Sequence, residues 1–210
     1  MYTTKQLNIE YFSLQSLFWM TYCMVVGFSV TYLLSCGYSN SEAGYILASA
    51  NICALVLQPF FADLADRSKK INAMTIFLIS ISIIFVCSIG LFFISVRSVI
   101  LTLIYVVMIT LANAVIAFLT SVQFLMDPSK TKINFGLCRA GGSLFFAILS
   151  AAMGILIERI GMKSIPTTLF IITFLIIILC IYITLHRIHT TYESTNDLMD
   201  QKSSTLLVFF

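Results

Sequence analysis

The chain has 210 residues, of which 60% are hydrophobic and 10% charged, with a formal net charge of +3. Soluble domains carry charge on about a quarter of their residues, so this composition excludes a water-soluble globule and places the chain in a bilayer. The six cysteines have no CxxC or metal-ligand spacing, and five lie in apolar runs where the thiol acts as a small hydrophobe, so neither disulfides nor zinc are expected. The first charges are followed by a long apolar run without a small-residue cleavage pattern, and the N-terminus is not read as a removable signal.

Charged residues cut the sequence into neutral intervals. Each holds one spanning helix of about 20 residues and none holds two. In chain order the predicted helices cover about 11–34, 42–63, 72–95, 99–125, 135–158 and 164–185. Runs such as LFIITFLIIILCIYITL do not alternate, which argues against barrel strands. The expected fold class is an all-α membrane protein with six transmembrane helices. With the N-terminus inside, the inner segments carry Lys5, Arg67, Lys69, Lys70, Lys130, Lys132, Arg187 and Lys202, and the outer ones Arg97, Arg159 and Lys163. That bias puts both termini in the cytoplasm.

In the first predicted helix Trp19 and Tyr22 are read either as lining a cavity or, for Trp19, as a membrane-interface residue about two turns in from that boundary, and Gly27 permits close packing or a bend. The second has a small face, Gly44, Ala48, Ala50 and Ala54, suited to helix contact. Pro59 lies near its inner end, where proline bends or ends a helix. The stretch FFADLADRSKK follows, with Asp63, Asp66, Arg67 and Lys70. Such charge anchors topology. It also suits a latch, in which an acid meets a neighbouring helix end or an arginine in one conformation only.

The fourth predicted helix carries Thr110, Asn113, Thr120 and Ser121 on about one face, read either as a polar cavity stripe or as interhelical hydrogen bonding. In the fifth, Arg139 lies about four residues in. It either snorkels to the inner surface or faces a cavity or partner. Ser143, Ala147, Ala151 and Gly154 form a small contact face. The tail, HRIHTTYESTNDLMDQKSSTLLVFF, reads as a polar cytoplasmic segment over 186–210, its closing LLVFF either as the opening of a further helix that is cut off or as the apolar end of a finished six-helix chain. No GxSxG, HExxH or Walker pattern appears, and His186 and His189 have no partners at ligand spacing, so neither an enzyme nor a metal site is expected.

GYSNSEAGYILASANICALVLQPFFADLADRSKK resembles the helix 1–2 loop, helix 2 and loop 2–3 of the major facilitator superfamily. That family's signature reads approximately Gly-x-Leu-Ala-Asp-Arg-x-Gly-Arg-Lys. Asp66 and Arg67 match its acid–base core and Lys69 and Lys70 its basic end, while Ala62 replaces the first Gly and the second is missing. INFGLCRAGGSLFFAILSAAMGILIERIG resembles helix 5 of the lactose permease (oligosaccharide–proton symporter) group, with Phe135, Gly136, Arg139 and Gly142 in register.

The resemblance implies the first half of a twelve-helix transporter of the plasma membrane. It implies a small solute such as a sugar and a proton as partners, a second six-helix half, no cofactor and no nucleic acid. It makes Arg139 a sugar-gripping residue paired with a helix 4 acid, where this sequence has Thr120 or Ser121. It puts Phe146 at the place of a sugar-stacking tryptophan. The expected substrate-binding set is Arg139, Asn113, Thr120, Tyr22, Ser143 and Phe146, and the expected gating set Asp63, Asp66, Arg67 and Lys70. The rival readings are a transporter of nucleosides or drugs on the same fold, and a non-transporting six-helix scaffold.

Overall fold

The computed structural model describes residues 4–67, 72–127 and 133–207, with the side chains of Asp66 and of residues beyond 185 excepted. The described residues form helices joined by short turns. We label them by span. Helix α1 is a bent pair, Thr4–Gly27 and Ser29–Ser35, and α4 is a second bent pair, Val99–Ala114 and Ile116–Met126. Between them lie α2, Asn40–Arg67, and α3, Ala73–Phe93; after them come α5, Phe135–Ile160, and α6, Ser164–Leu207. Four of these are individually long and apolar enough to cross a bilayer, and the two bent pairs bring the number to six.

The ends follow local chemistry. Asn72, Ser98 and Asn134 each accept a hydrogen bond from the backbone N–H three residues on, the N-cap arrangement that starts α3, α4 and α5. Gly161 stops α5 with φ 86°, in a conformation that disfavours a side chain. One expectation is corrected: Pro59 neither ends nor divides α2, which runs on to Arg67. The apolar span of α6 covers Ser164–Leu185, as expected. The helix itself continues to Leu207, because 186–207 contain no glycine or proline to stop it.

Packing follows a pattern with internal symmetry. Helix α1 packs most extensively on α5, α2 on α4, and α3 on α6. Exchanging α1–α3 with α4–α6 turns the first pair into the second and leaves the third unchanged. The two bent spans, 41° and 42°, also exchange with one another. The packing pattern thus repeats between the two three-helix units α1–α3 and α4–α6.

Helices α3 and α6 lie at the back, joined in part by Phe85 stacked on Phe170 at 4.9 Å. Helices α1 and α4 meet across the middle, while α2 and α5 flank them without substantial mutual contact. Their spans are accordingly the least covered, 17% and 22% buried against 39% and 33% for α3 and α6.

Candidate functional site

The polar groups of the membrane region gather where the bent helices meet. Tyr22 lies on the last α-helical turn of α1 before the π-helical stretch Cys23–Gly27. Its hydroxyl donates to Asn113 Oδ1 at 2.9 Å. Asn113 is in turn tied to α2, its Nδ2 donating to Asn51 Oδ1 at 3.0 Å and its carbonyl accepting from Gln58 Nε2 at 3.2 Å. Thr110, one turn away, donates to the Ala50 carbonyl at 3.1 Å. A side chain seated on a backbone carbonyl is an established cause of a kink. Gln58 on Asn113 therefore accounts for the bend of α4 at Val115, where the sequence has neither proline nor glycine.

A second chain of contacts joins α5 to α1. Arg139 Nη1 donates to Ser143 Oγ at 2.9 Å, and its Cζ lies over the Trp19 ring, 4.0 Å from the centroid. Helical side chains lean toward the N-terminus. Arg139 does the reverse and reaches one turn along α5 away from the helix's N-terminal end. Trp19 Nε1 donates to Gln15 Oε1 at 3.1 Å, and Gln15 Nε2 donates to the Tyr11 hydroxyl at 2.8 Å. Tyr11 donates to the Leu119 carbonyl of α4 at 3.2 Å. Gln15 and Tyr11 are buried, so the platform under Arg139 is held by a satisfied polar chain.

Close approach of α5 to α1 makes this contact possible. A Cβ on Gly142 would lie 2.4 Å from Trp19 Cδ1, and one on Gly141 would lie 2.2 Å from Phe12 Cε2. Phe146 approaches the bend of α1, 3.8 Å from where a Cβ on Gly27 would stand. A cavity of about 640 Å³ opens between α2, α3 and α4, lined in part by Gln58, Ala62, Asn72, Ser121 and Phe124.

A family model described as "MFS_1 like family" matches residues 6–207. The chain belongs to that family. No curated protein and no solved structure matches it. Membership points to the transport of a small solute across a membrane rather than to an enzyme.

In this member of the family the expected substrate residues fall into two groups. Tyr22 and Asn113 bond directly, Arg139 and Ser143 bond directly, and Phe146 lies over the bend of α1. Thr120 and Ser121 lie beyond the bend of α4 and are exposed, so the four polar residues of α4 do not make one continuous stripe. Thr110 and Asn113 are engaged in interhelical bonds, the alternative reading of that stripe. Sequence reasoning missed Gln15, Asn51, Gln58 and Tyr11. The signal was present, since amides within an apolar helix are costly without partners, and Asn51 and Gln58 recur at two-turn spacing on α2.

Of the expected gating set, Asp63 and Arg67 form an ion pair along α2, with side chains 57% and 81% exposed. Lys70 and the side chain of Asp66 lie outside the described residues. At the opposite ends of the helices, Arg97 pairs with Glu42 and approaches the Tyr38 ring at 5.9 Å. The Arg97 N–H donates to the Cys36 carbonyl at 2.9 Å, and Tyr38 donates to the Ser98 carbonyl at 2.7 Å. These contacts tie the α1–α2 connection to the α3–α4 connection.

Proposed function

We propose that the chain is the N-terminal six-helix half of a secondary active transporter that takes up a sugar or similar small polar solute together with protons, by alternating access. The observation that carries this reading is the polar cluster of Tyr22, Asn113, Asn51, Arg139 and Ser143 beside the uncovered faces of α2 and α5. Each of those helices exposes two different stripes. On α5 one is apolar, Leu137, Leu144, Ile148 and Ile155, and suits lipid; the other is Ser143, Ala147, Ala151 and Gly154. Small and polar surface of the second kind is what a facing helix or an aqueous cleft requires. A second six-helix unit closing over it puts the solute near the midplane, between two halves. The likeness of FGLCRAGG to helix 5 of the lactose permease group supports the same site.

In this reading Arg139, Ser143, Tyr22, Asn113, Thr120 and Phe146 contact solute. Asp63, Asp66, Arg67 and Lys70 latch the inner face when the cleft is open outward, in the plasma membrane with both termini in the cytoplasm. The test is Arg139→Lys in the full-length protein. Lysine keeps the charge and loses the planar fork, and loss of one charge-assisted hydrogen bond of about 1.5–3 kcal/mol lowers apparent affinity about ten- to a hundredfold. Arg67→Lys is the matched control in an aqueous segment and retains most uptake. Near-normal uptake by Arg139→Lys at normal membrane abundance rejects the site.

A further inference from the structure

Among the described residues no carboxylate is seen paired with Arg139. Asp63–Arg67 and Glu42–Arg97 are ion pairs, and neither includes it. An arginine carries five N–H donors, and the protein group that Arg139 is seen to reach is the neutral Ser143 hydroxyl. Its Cζ sits 4.0 Å from the Trp19 ring centroid. Stacking of this kind takes up a face of the guanidinium. The donors lie in its plane, at the edge, in the spacing that holds a carboxylate or phosphate through two parallel bonds.

The platform is also fixed in advance. Trp19 is held by Gln15, Gln15 by Tyr11, and Tyr11 by the Leu119 carbonyl, so the guanidinium is positioned before any solute arrives. Closing a cleft over this group with a neutral solute strands a cation away from water, which is heavily penalised, whereas an anion removes the penalty. We infer that the solute taken at this site is a small organic oxyanion, a carboxylate or phosphate ester gripped by the edge of Arg139. The inference rests on the transporter reading above, keeps its small polar solute and replaces the neutral sugar in it by an anion.

Equilibrium binding tests it without any translocation, so a failure here is separate from a failure of transport, which the uptake assay reads. Trp19 is the one tryptophan of the chain, and its emission reports on the guanidinium beside it. The purified full chain is titrated at constant ionic strength, set with sodium chloride, with sodium acetate, with inorganic phosphate and with neutral D-galactose. The expected result is that acetate or phosphate changes Trp19 emission and raises the thermal midpoint on the order of 2–4 °C. Arg139→Lys weakens that response about tenfold or more, Arg139→Gln removes it, and galactose produces none.

Equal anion responses in the unsubstituted chain and Arg139→Gln overturn the inference, as does no anion response in the unsubstituted chain. A galactose response that needs Arg139 overturns the anion class and leaves the transporter reading standing. Should Arg139→Gln not fold, the comparison with Arg139→Lys decides in the same way. Repeating the titration in nanodiscs of zwitterionic and of anionic lipid separates the sources of charge. An effect produced by the anionic lipid and by no soluble ion assigns the partner to a lipid headgroup and also overturns the proposal.

Discussion

Tyr22 and Asn113 hold the two bent helices together, the Tyr22 hydroxyl donating to Asn113 Oδ1 at 2.9 Å next to the bend in each. The same asparagine bonds Asn51 and Gln58 of α2 through its remaining side-chain and backbone groups. One residue of α4 thus couples three helices, and the two repeats meet at it. In a membrane such bonds gain less than their burial suggests, because the separated helices find other partners.

A double-mutant cycle of Tyr22→Phe with Asn113→Ala measures this coupling. The expected interaction is about 0.6 kcal/mol and no more than about 1.7 kcal/mol. Asn113→Ala alone costs more than Tyr22→Phe, since it also strands Asn51. A cycle that closes at zero means that the two bends are set independently.

Gly142 and Gly154 lie on the same helix and differ in what surrounds them. A Cβ at Gly142 meets Trp19 at 2.4 Å, and one at Gly154 meets nothing within 4 Å. Gly142→Ala is expected to destabilise by about 1–3 kcal/mol through overpacking and to shift Trp19 emission. Gly154→Ala is expected to be neutral, or to stabilise by up to about 1 kcal/mol through helix propensity. Comparable melting losses in the two variants contradict the packing described for α1 and α5.

The tie between the α1–α2 and α3–α4 connections combines an exposed ion pair with a buried tyrosine, and the two are expected to differ in worth. Glu42→Gln costs less than about 1 kcal/mol, as exposed pairs do. Tyr38 is 8% exposed and bonds both the Ser98 carbonyl and Thr102 Oγ1, the latter at 2.8 Å. Tyr38→Phe is therefore expected to cost about 1–3 kcal/mol, because buried partners lose their bonds. Unfolding in graded detergent ranks the two, and a larger loss for Glu42→Gln reverses this assignment.

The proposed topology is checked by single cysteines in a background without the native six. Positions 68 and 131 are expected to resist an impermeant thiol reagent applied to intact cells, and position 96 to react. The reverse pattern inverts the orientation drawn from the Lys and Arg asymmetry.

Much of the fold was legible because span length and charge placement are local properties. The spacing of Glu10, Glu42, Asp63, Lys70, Arg97, Asp127, Arg139 and Lys163 marks out the helices, since hydrocarbon admits few charges and sets a minimum length. Arg139 stood out for the same reason. Composition cannot tell which way its side chain points, and the structure turns it toward Ser143.

The bends were not legible. Pro59, the residue most expected to deform a helix, sits inside an unbroken α2. The bend of α4 falls at Val115, where Gln58 of another helix takes the Asn113 carbonyl. The bend of α1 follows a π-helical stretch in which the Phe28 N–H reaches the Cys23 carbonyl at 3.0 Å. The sequence by itself determined how many apolar spans there are, where they begin and which of their residues are polar, because each of those depends on one helix and the solvent around it. The tertiary structure alone decided which polar residues meet and which helices bend, because both depend on donors and acceptors supplied by helices far apart in the chain.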